Sequence, residues 1–234
     1  AMDSADGTSG VTRRYIDHTG TRWQESMVGE NRWRQNLDAA DRARAAGPNT
    51  EISVPGVNGT LRIPIDGASP KELKKLTKQI EALPPRIREN IPRITVADDI
   101  GQILDAHGNF KSVVAGFGSP KEIILDRVAV RGKKEIRETL YHEIGHVQDF
   151  RGAPGRPRLS DDRPWGDGRG VSDYGNSNKL EDYAEAHKEV AQNLSKKLAF
   201  RRLSKMSPEQ IYRHHGVTAG YRYVHILHNY GYLR

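Results

Sequence analysis

Five consecutive residues, His142-Glu143-Ile144-Gly145-His146, hold the clearest chemistry in this 234-residue chain. On a helix, positions 142 and 146 lie about one turn apart and project from one face. Two imidazoles so placed can both reach one Zn²⁺ at about 2.0–2.1 Å. Glu143 then sits beside the ion, where its carboxylate can take a proton from the water that zinc activates. A catalytic zinc normally takes three protein ligands and keeps one position open, so a third must come from elsewhere in the chain. Glu181 and Glu185 are four apart and share a helical face. One of these carboxylates can bind the ion while the other accepts a hydrogen bond from a ligand imidazole. An acidic surface helix paired with Lys179 and Lys188 would use the same residues.

These groups need two helices to position them. Residues 133–150 supply the first, with Ile136, Leu140, Ile144 and Val147 as an apolar stripe and Gly152 and Pro154 as its stop. Residues 179–203 supply the second. Between them, residues 153–177 form a loop dense in Gly, Pro, Asp and Arg, a length that is usually functional or mobile. Ser207-Pro208-Glu209 opens a short third helix, and a tail rich in Tyr and His follows over residues 221–233.

Upstream, Ile52 and Val54, then Leu61, Ile63 and Ile65, alternate across a turn at residues 57–59. Ser69-Pro70-Lys71-Glu72 caps a helix that Pro84-Pro85 ends. Residues 91–96, 111–115 and 122–125 read as strands, the last two joined by residues 116–120. Residues 1–20 are a polar lead. Residues 23–46 carry Trp33, Leu37, Ala40 and Ala43 at helical steps, stopped by Gly47-Pro48-Asn49. The expected class is α+β: a small twisted sheet of three or four strands over the helix 133–150, with a mainly helical C-terminal half. Residues 1–50 are then a flexible lead and a peripheral helix, and residues 51–234 the main domain.

Lys and Arg total 37 against 30 Asp and Glu, a formal charge of +7. That balance tolerates anionic partners, nucleic acid among them, and equally describes a solvated basic surface. The chain has no Cys, which excludes disulfides, cysteine nucleophiles and thiolate metal sites. No apolar run approaches the roughly 18 residues of a membrane helix. The opening Ala1-Met2-Asp3 reads as a junction left by tag removal, so a mature or excised form is expected.

Taken together, His-Glu-x-Gly-His-x-x-Asp over 142–149, then Tyr174-Gly175, then Glu181-x-x-Ala184-Glu185, resembles the zincin metallopeptidases of the anthrax lethal factor and Pro-Pro endopeptidase type. The likeness spans roughly residues 70–205. It implies one zinc per chain held by His142, His146 and Glu181, with Glu143 as general base. In that family a Tyr lies seven residues before the liganding Glu, as Tyr174 does here, and its hydroxyl supports the tetrahedral intermediate. Glu185 and Asp149 would stand behind the ligands. The family binds an extended peptide beside an edge strand near the zinc. The local candidate is Val113, Val114, Ala115, Gly116 and Phe117, although an ordinary hairpin strand fits these residues as well. Arg151, Arg156, Arg158, Arg163 and Arg169 would surround the cleft from the loop.

The function expected from this likeness is a zinc-dependent endopeptidase acting on a peptide or protein in extended conformation. It is expected to be a monomer, secreted or delivered into a target cell as a bacterial effector or toxin domain. Two other readings use the same residues: an intracellular zinc protease acting on DNA-associated proteins, and a zincin scaffold kept for interaction without catalysis.

Overall fold

Alternating Ile and Val in the strands and a three-to-four residue apolar step in the helices build one face against the other. The computed structural model describes residues 13–28, 30–150, 158–161, 165–203 and 205–233. Strands β1 (Arg13–Ile16), β2 (Arg22–Val28) and β3 (Asn31–Asn36) lead into helix α1 (Ala39–Ala46). β4 (Asn49–Pro55) and β5 (Thr60–Asp66) form a hairpin, followed by α2 (Pro70–Ala82) and the short α3 (Pro85–Arg88). Then come β6 (Arg93–Ala97), β7 (Gly101–Leu104), β8 (Phe110–Val113), β9 (Gly116–Gly118) and β10 (Glu122–Asp126). The C-terminal half is α4 (Lys133–Phe150), α5 (Lys179–Leu194), α6 (Lys197–Leu203), α7 (Pro208–His215) and α8 (Val217–Asn229).

The class is α+β, with two five-stranded sheets in place of the expected three or four strands. The first sheet runs β1-β2-β3-β7-β8, each pair antiparallel. The second runs β4-β5-β6-β10-β9, with β5, β6 and β10 parallel and its two outer pairs antiparallel. Ile63, Ile65, Ile94, Val96, Ile123 and Leu125 are fully buried at alternate strand positions, and they share one apolar cluster with the α4 stripe of Ile136, Leu140, Ile144 and Val147. Each such side chain contributes about 1.5–3 kcal/mol by leaving water. α2 joins that cluster through Leu76 and Ile80. Its first turn is closed by a reciprocal cap in which Ser69 Oγ accepts from Glu72 N–H and the Glu72 carboxylate accepts from Ser69 N–H at 2.8 Å.

Three expectations about these elements are corrected. Residues 23–46 are helical only from Ala39 onward; Trp23 to Asn36 form a β-hairpin, and β3 continues the sheet onto β7 through the Arg34↔Gln102 and Trp33↔Ile103 pairs. Cross-strand contacts override the helical spacing there, with the Arg34 guanidinium 4.3 Å from the Trp23 ring. Residues 1–12 of the expected lead lie outside the described residues. Residues 116–120, expected as a connection, contribute strand β9. The helix over 179–203 is broken after Leu194, where Ser195 N–H and Lys196 N–H bond back to Ala191 and Asn193 carbonyls. The tail over 221–233 is mostly helix α8, in keeping with the expected helical C-terminal half, and follows α7 across Gly216 at φ +79°. Arg151, Arg156 and Arg163 of the expected cleft border lie outside the described residues. No helix among those described is long and apolar enough to cross a membrane.

Candidate metal centre

α4 and α5 cross where both are small. A Cβ added to Gly145 would lie 2.9 Å from the Ala184 Cα and 2.9 Å from the His187 Cβ, so this approach requires glycine. The crossing brings the first turn of α5 onto the 142–146 face of α4. Asn178 caps that turn, its side-chain oxygen accepting from Leu180 N–H at 2.9 Å and Glu181 N–H at 3.0 Å. A carboxylate in a first turn also lies at the positive end of the helix dipole.

His142, His146 and Glu181 converge. The two Nε2 atoms are 3.1 Å apart, and Glu181 Oε2 lies 3.0 Å from His142 Nε2 and 3.6 Å from His146 Nε2. Glu181 Oε2 is buried without a hydrogen bond of acceptable geometry. Ligands at 2.0–2.1 Å from a tetrahedral ion lie about 3.3 Å from one another. The three observed edges bracket that length, so this donor set fits zinc.

The tautomer of His142 follows from its other nitrogen. Nδ1 lies 2.9 Å from Glu185 Oε1. An ionised carboxylate only accepts, so Nδ1 carries a proton, which leaves Nε2 as the ring nitrogen that would face an ion. Glu185 is in turn held by Lys188 Nζ, at 2.8 and 2.9 Å from its two oxygens, and by Ser172 Oγ at 2.6 Å. Glu185 is 5% exposed and Asp182 fully buried, which excludes the acidic surface helix. Of the two lysines, Lys188 does pair with Glu185, while Lys179 pairs with Asp161.

Burial disfavours charge on His142 and His146, but the Glu181 carboxylate beside both, joined by Glu185 at His142, outweighs it and raises both imidazoles. Burial likewise opposes ionisation of Glu181, and His146 and His142 overcome it and hold the carboxyl below its usual range. Glu185 is resisted by burial and brought down to about 2 by His142, Lys188 and Ser172. Glu143 goes the other way: burial raises its carboxyl against the lowering pull of His142 and His146.

Glu143 is pressed against β9. A Cβ on Gly116 would lie 2.7 Å from Glu143 Oε1, and one on Gly118 would lie 2.5 Å from the Glu143 carbonyl oxygen. Glycine at both positions lets the strand lie on α4. β9 is the outer strand of the second sheet, paired on one side with β10. The expected substrate strand is corrected accordingly. Val113 ends β8 in the first sheet, Val114 bonds to the Gly101 carbonyl, Ala115 accepts from Asp126 N–H, and only Gly116 and Phe117 belong to β9. The chain crosses between sheets at 114–115, so the five residues do not share one edge.

Tyr174 sits on the same cluster. Its ring lies 5.8 Å from the His142 ring and stacks at 6.4 Å and 23° on Trp33 of β3. The residue is 41% exposed, yet its hydroxyl is raised well above its ordinary value, first by burial and then by the Glu181 and Glu143 carboxylates. It is therefore a protonated donor at neutral pH. Asp149 does not stand behind a ligand through its described bonds. Its carboxylate accepts from Ser160 N–H at 2.6 Å and Ser160 Oγ–H at 2.8 Å, which ties the segment beyond α4 back onto the helix.

Sequence reasoning missed Ser172, Trp33 and the glycines of β9. Gly116-x-Gly118 is a legible signal for close approach of a backbone; Ser172 and Trp33 left none, because their partners are distant in the chain. No family model, curated protein or solved structure matches this chain.

Proposed function

We propose that the chain is a zinc-dependent endopeptidase that hydrolyses a peptide bond with an activated water. The observation that carries this reading is the convergence of two imidazole nitrogens and an unsatisfied buried carboxylate oxygen, with Glu143 raised beside them. His142, His146 and Glu181 would hold the ion. Zinc bound there supplies a Lewis acid for the scissile carbonyl and brings the pKa of a water toward about 7.

The chain's own groups do the rest. Glu143 takes the proton of the attacking water and returns it to the leaving amine. Tyr174 donates its hydroxyl proton in a hydrogen bond to the carbonyl oxygen as negative charge develops, an effect worth a few kcal/mol at comparable sites. The outer edge of β9 offers main-chain groups to an extended peptide. Glu185, charged and bonded to His142 Nδ1, keeps that ring in the tautomer that presents Nε2.

Metal content by mass spectrometry and cleavage of a diverse peptide library test the reading together. The expected result is about one zinc per chain, with cleavage lowered about 10²–10⁴-fold in Glu143→Ala at unchanged zinc content. A wild-type chain without zinc, or equal cleavage by the variant, contradicts it.

A further inference from the structure

Glu185 is bonded by three groups: Lys188 Nζ reaches both of its oxygens, and one further partner stands at each. Its Oε1 faces His142 Nδ1 at 2.9 Å, and its Oε2 accepts from Ser172 Oγ at 2.6 Å. Ser172 does not lie on either helix; it opens the turn that carries Tyr174. A hydroxyl has one proton to give and two lone pairs to accept with. Ser172 gives its proton to Glu185, and Oγ accepts from Gly175 N–H at 3.0 Å. The Ser172 carbonyl accepts from Asn176 N–H at 3.2 Å, and Asn176 Oδ1 accepts from Gly170 N–H at 2.7 Å. Within the turn around Tyr174, which Ser177 also closes by bonding the Tyr174 carbonyl, the Ser172 side chain is the link that rests on the carboxylate beside His142.

We propose that Ser172 is a positioning residue that couples zinc binding at His142 to the placement of Tyr174. The coupling rests on the zinc reading above. Fixing the His142 ring fixes Glu185 Oε1, a fixed carboxylate holds Ser172 at Oε2, and Ser172 holds Gly175, next to Tyr174. Coupling between sites is reciprocal, so the ordered turn must also favour the ion. The hydroxyl donor would then be in place when the metal site is filled, and would loosen when it is not. A serine that merely tidies a loop would leave metal affinity untouched.

The test is hydrogen–deuterium exchange over residues 170–178 of the full chain, with and without zinc, beside zinc affinity by chelator competition, for wild type and Ser172→Ala. In wild type, zinc should slow exchange of the turn about tenfold or more. In Ser172→Ala, affinity should fall about tenfold, at the lower end for a residue behind a metal ligand, and zinc should no longer slow the turn. Zinc uptake by wild type with no effect on the turn, or unchanged affinity in Ser172→Ala, overturns this proposal alone. A wild-type chain that takes up no zinc overturns the metal reading and the coupling with it.

Discussion

His142 and His187 lie on the two helices that cross at Gly145, both buried and both bonded through Nδ1, and they are driven in opposite directions. His142 Nδ1 faces the Glu185 carboxylate, and its Nε2 faces Glu181 and His146. His187 Nδ1 lies 2.7 Å from the Tyr141 carbonyl oxygen, and its Nε2 lies 2.6 Å from the Tyr230 hydroxyl. A carbonyl only accepts, so Nδ1–H donates to it, and with burial holding the ring neutral Nε2 accepts from the tyrosine. Burial lowers it to about 3, while two carboxylates raise His142. Burial alone does not make a histidine a ligand. The neighbouring groups differ: carboxylates stand beside His142, and a carbonyl and a hydroxyl beside His187, so equal burial gives a polar cluster on one side of the helix pair and a core hydrogen bond on the other.

The strongest way to break that contrast is at the carboxylates. Glu181→Gln should abolish zinc binding, whereas Glu185→Gln should weaken it about 10–100-fold, as loss of a partner behind a ligand does. Chelator competition on both variants reads the difference, and equal affinities would remove the distinction between the ligand and its support.

His187 gives the next effect, on stability and not on metal. Its folded pKa is depressed, so above about pH 6.5 neither state binds its proton and it adds no pH dependence. As pH falls below that, the unfolded chain takes up a proton that the folded chain refuses. Stability is therefore lost between about pH 6.5 and 3, with a slope of up to about 1.4 kcal/mol per pH unit. Denaturant unfolding at several pH values should show this slope flattened by one proton in His187→Gln. The variant should also be about 1–3 kcal/mol less stable at pH 7, with zinc affinity unchanged. A zinc affinity that falls with it would place His187 among the metal's supports.

Trp33 is the smallest of the three. Among the described ring contacts, it reaches the site through the Tyr174 ring. Trp33→Ala should slow cleavage several-fold at constant zinc affinity, because a stacked aromatic pair is worth about 0.5–1.5 kcal/mol beyond its burial. Steady-state kinetics on one cleaved peptide measures it, and an unchanged rate would detach the first sheet from the site.

The sequence was readable where periodicity and local caps agree. α4 occupies the expected 133–150, and its stripe is fully buried. The 51–65 hairpin and the Ser69 cap lie where alternation and capping residues put them. The first sheet was not readable. β2 and β3 are polar strands, and β3 pairs with β7, about seventy residues away; nothing local to Trp33 reveals that partner. Of the site, the 142–146 spacing and the pair Glu181 and Glu185 were visible because one helical turn joins each pair. Which carboxylate faces the cluster is fixed by the angle at which α5 crosses α4, and the role of Ser172 by how a loop folds back. Neither is encoded in spacing.

The central claim is that one ion is held by groups from both helices. An anomalous difference map from a zinc-loaded crystal tests it most directly. The account predicts a single strong peak about 2.0–2.2 Å from His142 Nε2, His146 Nε2 and Glu181 Oε2. A peak elsewhere, or one at the two histidines with the Glu181 carboxylate turned away, would contradict it.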